Sequence, residues 1–471
     1  MQGFGCRVIF CIAMLCVLHS LEKIGIFMAR FLVLGAGLVT EPLVEYLCRR
    51  SVNEVVIANN ILADAQRLAE PFVNASAELF DVRDYDALKA RAAVFDVVLS
   101  MVPPPFHQSV AEACVEAKTH MISASYQTPE MLALDAQAKA AGICIMNEIG
   151  LDPGIDHLSA MQIIDEAHAN GEQVEAFVSW CGGIPAPDEN DNPLGYKFSW
   201  NPKGAILVLL NQADYLRAGK GETVAGEDLM DWAKLVHIGG LDLECYPNRN
   251  SLLYKDIYGI PEIGTLIRGT LRYPEFCQIM QLAKALGLFN LDNFEVATGT
   301  TWKQYIPLLN GVVGIDALRK DAPQTEWAAL AWLGVFSDEI IPDGQSPMDV
   351  FCELLLEKLS YLDGEKDMIV LQHKFIVKRA DGSKYYKSSL LKSIGKPNGF
   401  SAMAATVGYP AAMAAELIAD GVIDHAGLLL PVTKNIYAPL LKMLAQENIK
   451  FIEQVWQEDE MTEEQFITEL Y

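Results

Sequence analysis

The first third of the chain alternates short apolar runs with segments of helical periodicity. The apolar runs predict strands at 31–34, 54–58, 96–100, 120–123 and 142–146. Between the third and fourth runs, apolar side chains recur at the i, i+3, i+4, i+7 spacing of a helix that buries one face: Val110, Ala113, Cys114 and Ala117. Short apolar strands that alternate with helices are typical of a parallel sheet, so we predict a doubly wound, Rossmann-like α/β domain.

The pattern changes after residue 152. A helix is predicted at about 153–170, and apolar and polar positions then alternate at 174–180, with Phe177 as the exception. This alternation predicts a half-buried, antiparallel strand that ends at Cys181-Gly182-Gly183.

The remaining segments mix helical and irregular patterns with one further strand pair. They predict an irregular, polar segment at 238–273, helices at 275–359, a strand at 368–375 followed by a hairpin turn at 381–382, and a last long helix at 400–418.

A glycine turn follows the first predicted strand. Residues 35–40 read Gly-Ala-Gly-Leu-Val-Thr and lead into a helical segment. In this arrangement backbone N–H groups and the helix dipole bind a dinucleotide pyrophosphate. The third glycine of the usual motif is replaced by Thr40, and a plain strand-to-helix turn is the alternative interpretation.

The end of the second strand governs the choice between NAD and NADP. An acid about 20 residues beyond the glycines would bind the ribose 2′-OH of NAD, and an arginine would bind the 2′-phosphate of NADP. The chain has Asn59 and Asn60 there, whose amides can bond either group. The missing acid disfavours strict use of NAD.

The stretch 147–157 places acids and a histidine around a Gly-Leu-Asp-Pro-Gly turn, directly after the last strand of the first domain. Glycine and proline fix the backbone of such a turn, and ligands bind beyond the carboxyl ends of parallel strands. We therefore expect Asp152 to line a nucleotide site, with a helix N-cap role as the alternative. For His157, packing stands beside catalysis as an interpretation.

Composition excludes several classes of partner. The 471 residues suffice for two or three domains, and the formal charge of −25 argues against nucleic acid or an anionic membrane as partner. Ten cysteines show no C-x-x-C pair and no metal-ligand spacing with histidine. This pattern indicates reduced thiols in a cytoplasmic protein, and no metal site is predicted.

The first 27 residues pose a separate question. Residues 8–18 are apolar and follow Arg7, as in a signal peptide, but the run is too short to span a bilayer and no small-residue cleavage site follows. We interpret 1–27 as an N-terminal extension without a role in the fold; a targeting segment and an ordered appendage are the alternatives.

Long motifs after Met28 resemble those of one known family. They include Cys-Gly-Gly-Ile-Pro-Ala-Pro at 181–187 and Ile-Arg-Gly-Thr-Leu-Arg-Tyr at 267–273. Further matching motifs lie at 35–37, 123–126, 146–157, 191–200, 246–249, 371–375 and 401–404. With these motifs the chain resembles the saccharopine dehydrogenases of the L-glutamate-forming type, also called saccharopine reductases.

The resemblance implies an NAD(P)-dependent oxidoreductase that acts on CH–NH groups. Such enzymes reversibly condense L-2-aminoadipate 6-semialdehyde with L-glutamate and reduce the product to saccharopine, in lysine biosynthesis by the aminoadipate route or its reverse. The cofactor implied is NADP(H), with NAD(H) as the alternative, and the assembly implied is a homodimer. A related imine-reducing synthase of the carboxynorspermidine or homospermidine type, or a non-enzymatic NAD(P)-binding regulatory protein, are the competing hypotheses.

The resemblance also implies a domain arrangement. A Rossmann-like domain would comprise 28–152, with 400–425 packed back on it, and a mixed α/β domain at 153–274 and 360–399 would bind substrate and dimerise. Residues 275–359 would form a small helical domain.

Site residues follow from the same resemblance. Cofactor contacts are expected at Gly35, Ala36, Gly37, Leu38, Val39, Asn59, Asn60, Asp81, Val82, Val102, Ala124, Ser125, Leu151, Asp152 and Pro153. Substrate contacts are expected at Ser125, Tyr126, Asp152, Cys181, Arg249, Thr270, Leu271 and Arg272. Saccharopine carries three carboxylates, which arginine binds in bidentate fashion, so the two arginines suit it chemically. Three residues are candidates for handling protons: Asp152, Cys181 and Tyr126.

The chain departs from the family pattern at three places. The arginine that binds the 2′-phosphate aligns with Asn60, which puts the preference for NADP in doubt. A Tyr-Thr pair is replaced by Pro104-Pro105, and a Ser-Ser-Arg run by Asn201-Pro202-Lys203, where proline removes a backbone donor.

Overall fold

The computed structural model describes residues 28–468, without the side chains of 467 and 468. The chain divides into two compact units. The first unit comprises Met1–Gly154 and Val407–Pro431, and the second unit comprises Ile155–Thr406 and Val432–Tyr471. The expectations for residues 1–27 lie outside the described residues.

The first unit contains a seven-stranded parallel sheet, in the spatial order β15-β6-β5-β4-β1-β2-β3. Its strands are β1 (Arg30–Leu34), β2 (Glu54–Asn59), β3 (Ala75–Leu79), β4 (Val97–Ser100), β5 (His120–Ile122), β6 (Cys144–Met146) and β15 (Gly427–Leu429). The predicted doubly wound α/β class is confirmed. The sequence pattern predicted no range for β3, which is only partly buried at the sheet edge, although it placed a strand end at Asp81-Val82. It did not predict the three-residue β15.

Helices flank this sheet in alternation with the strands. They are α1 (Glu41–Cys48), α2 (Leu62–Ala69), α3 (Tyr85–Ala92), α4 (His107–Ala117), α5 (Pro129–Leu132) and α6 (Asp135–Ala141). A long helix at Ala402–Ala419 begins in the second unit and continues into the first. A Cβ atom at Gly408 would lie 3.0 Å from the backbone of Val39 and Leu43, so glycine lets this helix approach α1 closely.

The second unit contains a nine-stranded mixed sheet. Its main path runs β10-β11-β12-β7-β13-β14-β16, and β8 and β9 form a hairpin beside β12. The strands are β7 (Gln173–Pro185), β8 (Ala213–Arg217), β9 (Lys220–Val224), β10 (Lys234–Ile238), β11 (Leu241–Pro247), β12 (Thr265–Arg272), β13 (Asp367–Lys378), β14 (Lys384–Ile394) and β16 (Ile452–Gln457). The predicted hairpin at 381–382 joins β13 to β14.

The central strand β7 differs from its prediction in three respects. It runs on through the glycines to Pro185, it pairs parallel with β12 as well as antiparallel with β13, and it is buried on both faces. Phe177 stacks on Phe375 with ring centroids 4.6 Å apart. The break in alternation at Phe177 therefore marks a second packed face, where an exposed face was expected.

The prediction of an irregular segment at 238–273 was wrong, because this segment contains β11 and the central strand β12. Its polar residues obscured the strand pattern, yet they are buried and bonded. Glu244 is 4% exposed, and its carboxylate accepts hydrogen bonds from the backbone N–H groups of Glu275 and Cys277 at 3.1 and 2.7 Å. Burial raises the pKa of Glu244.

The helices of the second unit include the predicted group between β12 and β13. They are α7 (Ile155–Ala169), α8 (Pro202–Leu207), α9 (Tyr254–Ile257), α10 (Phe276–Ala285), α11 (Trp302–Leu309), α12 (Ile315–Arg319), α13 (Gln324–Leu333), α14 (Pro347–Lys358), α16 (Lys434–Gln446) and α17 (Glu463–Thr468), with the helix at Ala402–Ala419 as α15. The helix α16 was not predicted, so α15 is not the last long helix.

In the described part of the chain, α15 alone is long and apolar enough to cross a membrane by length and composition. Most of it is buried within the protein, which is typical of a core helix.

The close contact of β12 with its neighbours generates a prediction about stability. A Cβ atom at Gly269 would overlap the Trp180 ring and the Tyr246 carbonyl. We expect Gly269→Ala to lower the unfolding free energy of the second unit by about 3 kcal/mol, the upper range for overpacking against backbone. All seven tryptophans lie in this unit, so tryptophan fluorescence during urea unfolding reports on it alone.

The matched control is Gly221→Ala on β9, where a Cβ atom meets nothing within 4 Å. Its unfolding free energy should stay within about 0.5 kcal/mol of the parent. Equal effects of the two substitutions would contradict the packing of β12 described here.

Candidate functional site

The glycine turn after β1 has the backbone that the sequence predicted. Gly35 adopts φ +104°, and a Cβ atom there would lie 2.7 Å from the carbonyl oxygen of Met101. A Cβ atom at Gly37, by contrast, would meet nothing within 4 Å, and Leu38 is exposed. The turn therefore requires glycine at its base and leaves open space around Gly37, and a turn of this kind before a helix can receive a phosphate group.

The end of β2 carries amides and no charge. Asn59 donates from its side chain to the carbonyl of Ile61 at 3.1 Å, and Asn60 is exposed. Arg67, on α2, lies 3.6 Å from the carboxylate of Glu41 in the first turn of α1. These polar groups can hydrogen-bond a ribose or its phosphate.

Beyond β3, Asp81 forms an ion pair with Arg83. The guanidinium donates to both carboxylate oxygens, at 2.6 to 3.0 Å, which lowers the pKa of Asp81 to about 2. Asp81 is therefore ionised at neutral pH, and Val82 beside it packs against the apolar core of the first unit.

Two loops at the carboxyl edge of the sheet are hydrogen-bonded to each other. The N–H of Glu148 donates to the carbonyl of Ser125 at 3.1 Å, and the Glu148 carboxylate accepts from the N–H of Gln127 at 2.9 Å. Gly150 donates to the carbonyl of Pro153 at 2.9 Å, and a Cβ atom at Gly154 would overlap the backbone of Gly150. The expected site stretch is thus a closed turn held against the loop that follows β5.

These loops bring together two of the predicted proton-handling groups. The hydroxyl of Tyr126 donates to the carboxylate of Asp152 at 3.3 Å, and both residues are half-buried. Their neighbours Leu151 and Pro153 are buried and Ala124 is half-buried. A carboxylate that accepts from a phenol is suited to hold a cation or receive a proton.

The structure adds His107, which the sequence analysis did not single out. Its Nε2 lies 2.7 Å from the hydroxyl of Ser125, and its Nδ1 lies 2.9 Å from the hydroxyl of Ser100. The ring is 6% exposed, and burial lowers its pKa to about 4. The available signal was its position, seven residues beyond the end of β4 and at the start of α4.

In the second unit, β12 lines up three polar side chains on one face. Arg268, Thr270 and Arg272 alternate along the strand and are all buried. Thr270 is paired in register with the buried Cys181 of β7 on one side. Leu271 points to the opposite face, where it joins the apolar cluster of the sheet, so a contact from it to a ligand would use its backbone.

The two arginines of β12 differ in their counterions. Arg268 forms a buried ion pair with Asp156 and lies over the Tyr254 ring at 4.0 Å. Arg272 is 4% exposed, stacks 4.8 Å from the Tyr196 ring, and donates to a backbone carbonyl at 2.8 Å. Arg272 forms no ion pair within residues 28–468, and its Nε has no hydrogen-bond partner there. The buried carboxylate of Glu244, its register partner on β11, nevertheless attracts it electrostatically. The guanidinium of Arg272 could still hydrogen-bond a ligand carboxylate.

Arg249 stands on the segment that follows β11. It adopts φ +57°, its side chain is exposed, and its carbonyl accepts from the N–H of Asp214 at 2.9 Å. The preceding Asn248 donates to the hydroxyl of Thr270 at 3.3 Å. The backbone at Arg249 is thus held beside β12 by the hydrogen bond of its neighbour Asn248.

His157 belongs to a buried network. It is fully buried, its Nδ1 lies 2.7 Å from the Tyr258 hydroxyl, and it lies 4.0 Å from Asp156. These contacts support the packing interpretation of His157. Within the described ranges, no group of three or more metal-ligating side chains occurs.

Comparison with known proteins covers both units. A family model described as the saccharopine dehydrogenase NADP binding domain matches residues 31–146, and one described as the saccharopine dehydrogenase C-terminal domain matches 150–449. The chain is 43% identical to the saccharopine dehydrogenase [NADP(+), L-glutamate-forming] of Saccharomyces cerevisiae over 428 residues, which are 88% of this chain and 96% of the yeast protein.

A solved structure and a second curated protein are similar to this chain over most of its length. The solved structure of apo saccharopine dehydrogenase (L-Glu forming) from Saccharomyces cerevisiae superposes with a TM-score of 0.84 at 40% identity, covering 91% of this chain and all of that one. The mitochondrial alpha-aminoadipic semialdehyde synthase of Bos taurus is 40% identical over 90% of this chain, which spans 48% of the bovine protein.

The open space at Gly37 generates a prediction about dinucleotide binding. We expect Gly37→Ala to weaken NADP+ binding at least about tenfold, because its methyl group would occupy the position of the pyrophosphate. The thermal unfolding midpoint should stay unchanged, because the methyl meets no protein atom. Calorimetric titration with NADP+ measures the first effect, and Gly221→Ala is the control. Unaltered affinity would place the pyrophosphate elsewhere.

Proposed function

The chain belongs to the saccharopine dehydrogenase family, and we propose that it catalyses the reversible reductive condensation of L-2-aminoadipate 6-semialdehyde with L-glutamate to saccharopine, using NADPH. The observation that carries this proposal is the 43% identity to the yeast enzyme of that name, which extends over 96% of its length and through both units. The family expected from the sequence motifs is confirmed. The reaction places the protein in lysine metabolism.

The first unit fits the dinucleotide. The turn at Gly35 and Gly37 leaves backbone N–H groups and open space for a pyrophosphate, as the family's NADP(H) requires. The side-chain amides of Asn59 and Asn60 would hydrogen-bond to the ribose and its 2′-phosphate, which an arginine binds in the family pattern. When bound, the cofactor supplies the hydride to the carbon–nitrogen double bond or accepts it in the reverse direction.

Further contacts of this unit complete the proposed cofactor site. The segment Ala36 to Val39 would bind the phosphates through its backbone. Asp81 and Val82 would flank the adenine, and Val102, Ala124 and Ser125, with Leu151 to Pro153, would flank the nicotinamide end.

The second unit supplies the groups that suit a substrate with three carboxylates. Arg272 is a buried cation that forms no ion pair within the described chain, so it would bind one carboxylate with little loss of side-chain freedom. Arg249 is exposed and would bind another, and Thr270 and the Leu271 backbone would hydrogen-bond beside Arg272.

Asp152 is the group we propose for proton handling. Its carboxylate accepts the Tyr126 hydroxyl, so it would hold the ammonium groups of the substrate or receive the proton that the condensation of the glutamate amine releases. Tyr126 would orient this carboxylate through its hydroxyl. Cys181, which is paired in register with Thr270 in the mixed sheet, would hydrogen-bond to the reacting nitrogen.

We propose a cytoplasmic homodimer as the working form. The charge of −25 and the absence of disulfides among the described cysteines support the cytoplasm, and the assembly is inferred from the family alone.

The reaction itself provides the direct test. The purified protein should oxidise NADPH, followed by absorbance, only when the semialdehyde and glutamate are both present. Each substrate alone serves as the control. Consumption of NADPH with other amine and aldehyde pairs would favour a related imine-reducing synthase. If no pair is turned over but NADP+ binds, the chain is a dinucleotide-binding regulatory protein.

The absence of an ion pair at Arg272 in the described residues generates a prediction with different outcomes for binding and stability. We expect Arg272→Met to raise the KM for saccharopine about 10- to 100-fold, because one carboxylate loses its charged partner. The unfolding midpoint in urea should change little, because removal of the buried guanidinium relieves its desolvation cost while it also removes the attraction to Glu244. NADP+ affinity should stay within about twofold.

Arg268→Met is the matched control on the same strand. It removes the guanidinium that neutralises the buried Asp156 carboxylate, so the unfolding free energy should fall by about 3 kcal/mol or more. Equal losses of stability in both variants, with unchanged saccharopine affinity for Arg272→Met, would identify Arg272 as a structural residue.

A further inference from the structure

Three polar side chains form a hydrogen-bonded chain at the carboxyl edge of the parallel sheet of the first unit. The hydroxyl of Ser100, at the end of β4, lies 2.9 Å from His107 Nδ1, and His107 Nε2 lies 2.7 Å from the hydroxyl of Ser125. Ser100 is 1% exposed, whereas Ser125 is half-buried. Only the Ser125 end of the chain can therefore reach a ligand.

The imidazole in this chain is neutral near pH 7. Burial lowers the pKa of His107 to about 4. The ring also belongs to the first residue of α4, where the positive end of the helix dipole disfavours a second proton. A neutral imidazole has one N–H donor and one acceptor nitrogen, so the two hydrogen bonds must run in the same sense along the chain.

The burial of Ser100 determines that sense. Its hydroxyl has no hydrogen-bond acceptor in the described part of the molecule other than His107 Nδ1. If Nδ1 carried the proton, the Ser100 hydroxyl would be left buried without an acceptor, which is a costly arrangement. Ser100 therefore donates to Nδ1, and the Nε2–H of His107 donates to the oxygen of Ser125.

With both hydrogen bonds running from Ser100 towards Ser125, the hydroxyl proton of Ser125 is available for a further hydrogen bond. The N–H of Ser125 donates to the Ser123 hydroxyl at 3.1 Å, and its carbonyl accepts from Glu148 at 3.1 Å. Both backbone groups are thus used by the protein, the N–H within the same loop and the carbonyl by the loop that follows β6. The hydroxyl oxygen accepts from His107, so its proton points away from the ring and becomes the remaining donor of this residue.

We propose that His107 is a positioning residue that makes Ser125 a one-way hydrogen-bond donor to an acceptor oxygen of the bound ligand. This inference rests on the proposed function in one respect, namely that Ser125 contacts a ligand. The acceptor oxygen belongs either to the nicotinamide carboxamide of NADP+ or to a carboxylate of saccharopine. The proline segment between Ser100 and His107 restricts the backbone of this loop, which holds the His107 ring in place against Ser100.

The tautomer of His107 is a direct readout that requires no turnover. Two-bond nitrogen–proton correlation spectra of protein labelled with ¹⁵N-histidine should show the Nε2–H form, with the signal assigned by its loss in His107→Gln. In Ser100→Ala the hydroxyl that requires an acceptor at Nδ1 is gone, so the preference for the Nε2–H form should weaken and the Nδ1–H form should become detectable. A wild-type Nδ1–H form would overturn the proposal.

Affinities of the variants provide the second readout. We expect Ser125→Ala and His107→Leu each to weaken binding of one ligand, NADP+ or saccharopine, about tenfold in calorimetric titrations. The double variant should bind no more weakly than Ser125→Ala, because both substitutions remove the same hydrogen bond. His107→Gln keeps an N–H donor towards Ser125 and should recover most of the affinity.

The control is His120→Leu in the same unit. His120 Nδ1 accepts from the N–H of Cys144 at 2.9 Å, at the amino-terminal end of β5 and away from the site loops. Its variant should retain both affinities. Additive losses in the double variant, or a His107→Gln variant that folds but binds as weakly as His107→Leu, would overturn the positioning role. Absence of turnover in the parent would instead count against the proposed function, because the tautomer and the NADP+ affinity are measured without it.

Discussion

A buried positive charge must be neutralised, and this constraint organises the second unit. The central strand β12 carries two guanidinium groups into the interior, four residues apart on one face. Asp156, in the first turn of α7, neutralises Arg268 and thereby fixes the helix against the strand. Arg272 is surrounded by aromatic rings and forms no ion pair in the described chain, and the buried carboxylate of Glu244 on β11 is the negative charge opposite it. The strand thus has one guanidinium in an ion pair and one whose charge is only partly compensated.

Most of the first unit was predictable from the sequence because its signals are local. A buried parallel strand is a continuous apolar run, and the turn after β1 needs glycine for reasons visible within a few residues, as the φ of +104° at Gly35 illustrates. The turn around Asp152 was also predicted, because glycine and proline mark a rigid turn. Its contact with Tyr126 depends on a loop three elements earlier, which a local pattern cannot reveal.

The errors lie where tertiary partners outweigh local preference. Glu244 and Arg268 made β11 and β12 look irregular, because a charged residue in an apolar run normally marks exposure. Here backbone N–H groups and Asp156 satisfy those charges from distant parts of the chain. Phe177 was treated as an exception to alternation, although it reported a second packed face. His107 was missed for a related reason, since its role depends on the two serines that the fold brings to either side of its ring.

The division of the first unit into two chain segments affects how the protein is made. The sheet is complete only when β15 joins β6, and β15 belongs to the segment that follows residue 407. During synthesis β6 therefore emerges as an open edge strand and stays open until almost the whole chain has left the ribosome. In the sequence the second unit is inserted between the two segments. Most of it is therefore synthesised before β15, and a truncated chain would retain an unprotected edge at β6.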